Sequence, residues 1–447
     1  MTDHRRPRGA RRALGLAAGM AIALSACAGA ASPSPSVAPS GAPSGAPSVA
    51  PSTAAPITLN TIWMKQAAYS EDDVNAMLKA FTDENPTITV NTEFVQYEAL
   101  HDKIVTAQIT GSGQYDLVLM DTPWPAEFAD AQIVKDITDQ VPADFKSGVF
   151  DSAWTAATYK DRIWGVPWIN DTKFFFYNKK MLADAGVTGV PKTWDDVLAA
   201  AKAIKDKNLV KYPLVWSWTQ AEAVICDWTE LAGVMGGADF IDTSGAAKFN
   251  TGGGLAALQF MKKSIDDGLT NPASLGFVED DVNKTIGAGQ AAMGLNWTYG
   301  YNVLNDPATS SVAGDIGVAA APGTASTPTA GVNGGMSIAV TTKSQHPDEA
   351  LKLALWMASQ PMQEKYDANT FPMWKTSFDK TDLTAKAPDF WAAADNAFGG
   401  LVARPIVPYY TKLSSALQVA IQEALKGSKT PQQALDEVAA KLPDLQQ

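Results

Sequence analysis

From Ile57 onward the sequence predicts an α/β fold, and three observations carry that prediction. Strand-like alternation and helix-like periodicity take turns along the chain, with acidic residues opening the helices. The third strand candidate, YDLVLM (115–120), is nearly continuous in apolar residues, as strands buried on both faces of a parallel sheet are. The body of about 390 residues is long enough for one large or two medium domains.

The elements follow in order. ITLNTIW (57–63) alternates and reads as a strand. SEDDVNAMLKAF follows with Ser70 as N-cap, acids in its first turn, and Val74, Met77, Leu78 and Phe81 on one face. TITVNTEFV (87–95) is a second strand, and EALHDKIVTAQIT (98–110) a second helix stopped by Gly111. With YDLVLM this makes βαβαβ, the opening of a doubly wound sheet. Ligands on such sheets gather at the carboxyl ends of the strands. Here those ends carry Trp63 and Lys65, Tyr97, and Asp121 with Trp124. Neither a G-x-G-x-x-G turn nor a G-K-[ST] loop occupies them, so no nucleotide site is expected. The run Gly252 to Gly254 reads as the opening of the helix LAALQFMKKSI. Downstream, GVPWINDTKFFFYNKKML is a strand running into a helix, and Thr193 caps WDDVLAAAKAI.

The start of the chain is of another kind. Five arginines precede an apolar run from Ala13 to Ala26, the pattern of a signal peptide over residues 1–26. The run ends in LSAC, which resembles the bacterial lipobox and implies lipidation of Cys27. Residues 27–56 are Ser, Pro, Ala and Gly without charge, and read as an extended, disordered tether. The expected location is extracytoplasmic, anchored to the membrane by lipid. With Cys27 modified, Cys226 has no partner for an intramolecular disulfide. The net charge of −12 argues against nucleic acid as a partner. His4, His101 and His346 lie too far apart to suggest a metal site, and no cofactor is expected.

Four stretches share a resemblance. GVPWINDTKFFFYNKKMLADAGV with PKTWDDVLAAAKAI, AAMGLNWTY, AGVNGGMSIAVTTKSQHPDEALKLALWMAS, and ARPIVPYYTKLSSALQVAIQEALKGSKTPQQAL occur in that order. Together they resemble the family-1 extracellular solute-binding proteins of ABC importers, over essentially all of residues 57–445. The resemblance implies a periplasmic-binding-protein-like (type II) fold of two α/β lobes joined by hinge strands. It implies an N-terminal lobe of residues 57–167 plus 332–372 and a C-terminal lobe of 168–331 plus 373–447. It further implies a carbohydrate receptor, not an enzyme, with ABC permease subunits and a separate ATPase subunit as partners. In that family an acid on the first crossing strand touches the sugar, and Asp171 stands at the matching place. Trp297 matches the family's sugar-stacking tryptophan, although Gly294-Leu295-Asn296 departs from the usual Gly-x-Trp spacing.

The residues support this independently. A sugar presents weakly apolar C–H faces and hydroxyls that both donate and accept, so its site needs aromatic plates with polar edges. In GLNWTYGYN (294–302), Trp297 and Tyr299 supply plates and Asn296 an edge, between small residues that allow close approach. Trp216 with Trp218, Trp124 beside Asp121, Trp168 beside Asp171, Trp63 and Trp374 repeat the pattern. Lys65, Tyr97 and Arg404 are further candidate contacts. The number of plates favours an oligosaccharide. Four alternatives stand beside this reading. A glycerol phosphate could use Lys65 or Arg404, a polyamine the aromatics and acids, and a ferric ion Tyr409 with Tyr410. A glycoside hydrolase could pair Asp121 with Asp171.

Overall fold

The computed structural model describes residues 55–65, 68–111 and 114–447. The expected signal peptide, the lipobox Cys27 and nearly all of the tether lie outside the described residues. Among the described residues, no helix is long and apolar enough to cross a membrane.

The first three strands form where alternation places them: β1 (Ile57–Met64), β2 (Ile88–Val95) and β3 (Leu117–Asp121). The helix between β1 and β2 is held by a capping box, in which the Ser70 side chain accepts from the Asp73 N–H and Asp73 accepts from the Ser70 N–H. It buries Val74, Met77, Leu78 and Phe81, the expected face. After a small hairpin, β4 (Thr158–Tyr159) with β5 (Arg162–Ile163), the chain forms β6 (Val166–Ile169). Three residues later it starts β7 (Lys173–Asn178), in a different sheet. β8 (Leu214–Val215), β9 (Met293–Trp297) and β10 (Ile316–Ala319) follow, and β11 (Met336–Val340) returns to the first sheet.

The result is a two-lobe α/β molecule. The first sheet runs β2-β1-β3-β11-β6, with β1 parallel to both β2 and β3, and β11 antiparallel to its neighbours. The second runs β10-β7-β9-β8, where only β8 and β9 are parallel. Every residue of β7 is buried, which is why KFFFYN shows no alternation. The chain passes between the sheets at residues 170–172 and again between β10 and β11. Beyond β11, the helix Pro347–Met357 packs into the core of the first lobe and the helix Pro388–Ala397 into that of the second. The long helices Tyr410–Leu425 and Pro431–Leu445 close the second lobe. As expected, Gly252 to Gly254 open the helix Gly252–Asp266, and a side chain at Gly253 would strike the Gly237 carbonyl.

Candidate functional site

Parallel strands point their carboxyl ends the same way, so Lys65, Tyr97 and Asp121 emerge together at one edge of the first sheet. They open onto a cavity of about 410 Å³. Ile169 at the end of β6 and Met336 at the start of β11 add apolar wall from the same sheet. The opposite wall is Trp297 and Tyr299, where β9 ends, with Glu279 and Asp280 from the helix Glu279–Gly287 that precedes that strand. Asp171 lines the cavity from the crossing between β6 and β7.

Arg404 ties the two walls together. Its guanidinium donates to Asp121 Oδ1 at 2.9 Å on the first lobe and to Glu222 Oε1 at 2.9 Å on the second. The Tyr97 hydroxyl donates to the other oxygen of Asp121 at 2.7 Å, and Ser414 to Glu222 Oε2 at 2.6 Å. Burial, then the charges of Asp121 and Glu222, push the Tyr97 phenol well above its ordinary range. Arg404 is 3% exposed and Asp121 1%, so this bridge is screened little by solvent. Arg404 thus lines the cavity while held in a buried salt bridge.

A second ionic group lies beneath Trp297. Lys173, wholly buried on β7, donates to Asp227 at 2.6 Å and to the Ser217 hydroxyl at 2.8 Å, with Glu279 at 3.5 Å. Burial alone would lower the Lys173 pKa, but Asp227 and Glu279 outweigh it and the ammonium is held. Its Nζ sits 5.2 Å from the Trp297 ring centroid, a cation–π distance. The indole N–H donates to Glu279 Oε1 at 3.2 Å. Asp171 accepts from the Thr172 N–H at 2.8 Å, yet burial dominates and raises its pKa to about 7. The Tyr299 hydroxyl donates to Asp280 at 3.0 Å.

Of the residues singled out in the sequence, Lys65, Tyr97, Asp121, Asp171, Trp297, Tyr299 and Arg404 line the cavity together. The others do not, each for a stated reason. Trp63 alternates away from Met64 and packs 5.1 Å from Trp168, which is itself stacked 4.7 Å from Tyr69. Trp124 stacks behind Tyr97 at 5.7 Å, one layer back from the cavity. Trp216 and Trp218 are fully buried in the second core, stacked on each other at 5.0 Å. Trp374 packs edge-on against Phe145 and donates its N–H to the Ala358 carbonyl. Asn296 points to the far face of β9, where its amide donates to Asn283 Oδ1 at 2.7 Å and to the Glu279 carbonyl at 2.9 Å. It positions the helix that carries Glu279 and Asp280.

The glycines around Trp297 also serve packing rather than close approach of a ligand. A side chain at Gly294 would meet the Val215 carbonyl of β8 at 2.5 Å. The glycine that makes room at the cavity is Gly334, where a Cβ would lie 2.3 Å from Trp297 Cζ3. Sequence reasoning missed Gly334, Glu222, Glu279 and Asp280. The last two sit in the run Glu279-Asp280-Asp281, which looks like ordinary first-turn acids. Asp281 does that work by accepting from the Val278 N–H at 3.2 Å, leaving the two before it to face the cavity.

The chain can be set beside known proteins. It is 27% identical over 337 residues to a Deinococcus radiodurans protein named "Probable ABC transporter-binding protein", covering 73% of this chain and 79% of that one. It is 25% identical over 323 residues to the diacetylchitobiose binding protein DasA of Streptomyces coelicolor, covering 66% and 68%. The structure matches maltose-bound MalE3 of T. maritima with a TM-score of 0.78 at 27% identity, over 87% of this chain and all of that one (100%). The family model described as bacterial extracellular solute-binding protein matches residues 67–364. With that model spanning most of the body and the two-lobe fold around a shared cavity, the chain belongs to the bacterial extracellular solute-binding protein family.

Proposed function

We propose that the protein is the receptor of an ABC importer and captures a carbohydrate in the cavity between its lobes. The observation that carries this is the pairing of plates and edges. Trp297 and Tyr299 on one wall face a cavity whose other wall holds Tyr97, and each aromatic is edged by a carboxylate. Such a surface suits a sugar ring, whose C–H face meets the plate while its hydroxyls donate to the acids. The relatives include a protein named for diacetylchitobiose, and the similar structures include one with maltose bound.

The lobes are assigned to residues 57–167 with 332–372 and to 168–331 with 373–447. The crossings at 170–172 and 320–335 act as hinges. Ligand contacts from both walls stabilise the closed form and shift the population toward it. The closed receptor is read by the permease subunits, and a separate ATPase drives release. Lipid on Cys27 and the tether of residues 27–56 keep the receptor at the outer face of the membrane. The chain is assigned no catalytic step: both oxygens of Asp121 are already engaged by Arg404 and Tyr97.

The alternative ligands fit less well. A phosphate finds Arg404 held by two carboxylates, and Lys65 3.5 Å from Glu71. Tyr409 and Tyr410 suit a metal poorly, since Tyr410 donates to Glu222 while Tyr409 accepts from Gln446. The test is a thermal-shift screen of the purified protein against mono-, di- and oligosaccharides, glycerol 3-phosphate, spermidine and ferric citrate. A ligand of the native state at a hundredfold excess over its Kd adds about 2.7 kcal/mol of stability. We expect a shift with a saccharide that is lost in Trp297→Ala. A shift confined to glycerol 3-phosphate or ferric citrate, or a saccharide shift indifferent to Trp297, would refute the proposal.

A further inference from the structure

The cavity is more acidic than a neutral sugar requires. Six carboxylates line it, against the cations Lys65 and Arg404. Arg404 is consumed by Asp121 and Glu222, and Lys65 leans to Glu71 outside the cavity. Lys173, from behind the wall, is shared between Asp227 and Glu279. Among the described residues, Asp171 and Asp280 therefore face the cavity with no cation within ion-pair distance.

Three of these acids are gathered by three successive residues. Glu279 accepts from the Trp297 indole N–H at 3.2 Å, Asp171 from the Thr298 backbone N–H at 3.4 Å, and Asp280 from the Tyr299 hydroxyl at 3.0 Å. The aromatic plates and the carboxylates thus form one surface. All three acids raise the pKa of the Tyr299 phenol, after burial, which places their charges around that single ring. Asp171 is 6% exposed, so its charge is largely stripped of water. A buried carboxylate without a counter-charge is costly, and a hydroxyl donor relieves that cost only in part. An ammonium relieves more of it, by adding a counter-charge to the hydrogen bond, and the aromatic faces beside it favour a cation further.

We infer that the ligand is a saccharide bearing a free amino group, seated with its ring on Trp297 and Tyr299 and its ammonium among Asp171, Glu279 and Asp280. This rests on the carbohydrate-receptor reading and narrows it to a cationic sugar. A simple polyamine satisfies the charge but leaves the plates without a ring face to stack on. A neutral saccharide uses the plates but offers the acids only hydroxyl donors, without a counter-charge.

Calorimetric titration of the purified protein separates these cases. The probes are the di- and trisaccharides of β-1,4-linked glucosamine, the same two sugars fully N-acetylated, maltose, and spermidine. N-acetylation removes the charge while keeping the ring and linkage. We expect the free amines to bind at least about tenfold more tightly than their N-acetylated forms. Asp280→Asn, a near-isosteric change on a partly exposed residue, should erase most of that ratio while leaving the melting temperature of the unliganded protein in place. Equal or tighter binding of the N-acetylated sugars or of maltose overturns the inference and leaves the carbohydrate receptor standing. Tightest binding by spermidine overturns the saccharide part. No binding by any probe at millimolar concentration overturns the inference. A preserved ratio in Asp280→Asn overturns the assigned seat.

Discussion

Two aromatic pairs end adjacent parallel strands of the second sheet, and they have opposite fates. Trp216 and Trp218 follow β8, and Trp297 with Tyr299 closes β9, which pairs with β8 through Val215 and Gly294. Both read aromatic-x-aromatic with a small polar residue between. The first pair is sealed. Trp194 packs 5.7 Å from Trp216, the Trp216 N–H donates to Thr270 at 3.0 Å, and Gln422 of the helix Tyr410–Leu425 donates to the Trp218 carbonyl. The second pair meets Gly334 of the returning crossing, which has no side chain to fill the space, and a rim of acids. Residue type does not separate plate from core. The separating features are what covers the pair and which charges edge it.

That contrast can be broken most forcefully from the core side. Trp218→Ala opens a void among fully buried neighbours and should cost about 3–5 kcal/mol of unfolding free energy. Chemical denaturation would read this, and saccharide affinity of the folded fraction should be unchanged. The mirror experiment is Trp297→Ala, with the reverse signature. Affinity for the captured saccharide should fall about a hundredfold, roughly 2.7 kcal/mol, while the unliganded melting temperature moves little. If calorimetry instead finds the two variants alike in both readouts, the distinction between the strand ends is lost.

The charged rim makes a pH-dependent prediction. The folded-state pKa of Asp171, about 7, lies above that of a carboxylate in an unfolded chain. Between about pH 4 and 7 the folded protein keeps a proton that the unfolded chain has released, so stability falls as pH rises through that window. The penalty is complete above it. Asp227, raised to about 6 chiefly by burial, acts in the same direction. Asp171→Asn should therefore gain on the native protein by about 3–4 kcal/mol between pH 4 and pH 8 in urea titrations. A constant difference across that range would show that Asp171 does not titrate as described.

The smallest expected effect sharpens the comparison. Gly334→Ala forces its Cβ against the Trp297 ring at 2.3 Å, so the plate must move. A loss of about tenfold in affinity is expected, with stability nearly unchanged. Normal affinity in this variant would mean that the plate's position is not what holds the ligand.

The sequence by itself determined the α/β alternation, the capped helices, and the strand ends at which Lys65, Tyr97 and Asp121 emerge. These depend on periods of two and 3.6 residues and on side chains that cap their own backbone, all of which are local. It also marked Trp297 and Tyr299, as aromatic plates set between small residues. It pointed also at Trp63, Trp168, Trp216 and Trp218, because an indole beside a polar residue looks the same whether a helix or a ligand covers it. Only the tertiary structure decided which faces stay open. Arg404 lies 283 residues from Asp121 in the chain and 182 from Glu222, yet it joins them across the cavity. Glu279 and Asp280 became part of the wall because Asn296 holds the start of their helix against β9. Such contacts arise when two lobes fold around a shared edge, and no local pattern encodes the partner on the other side.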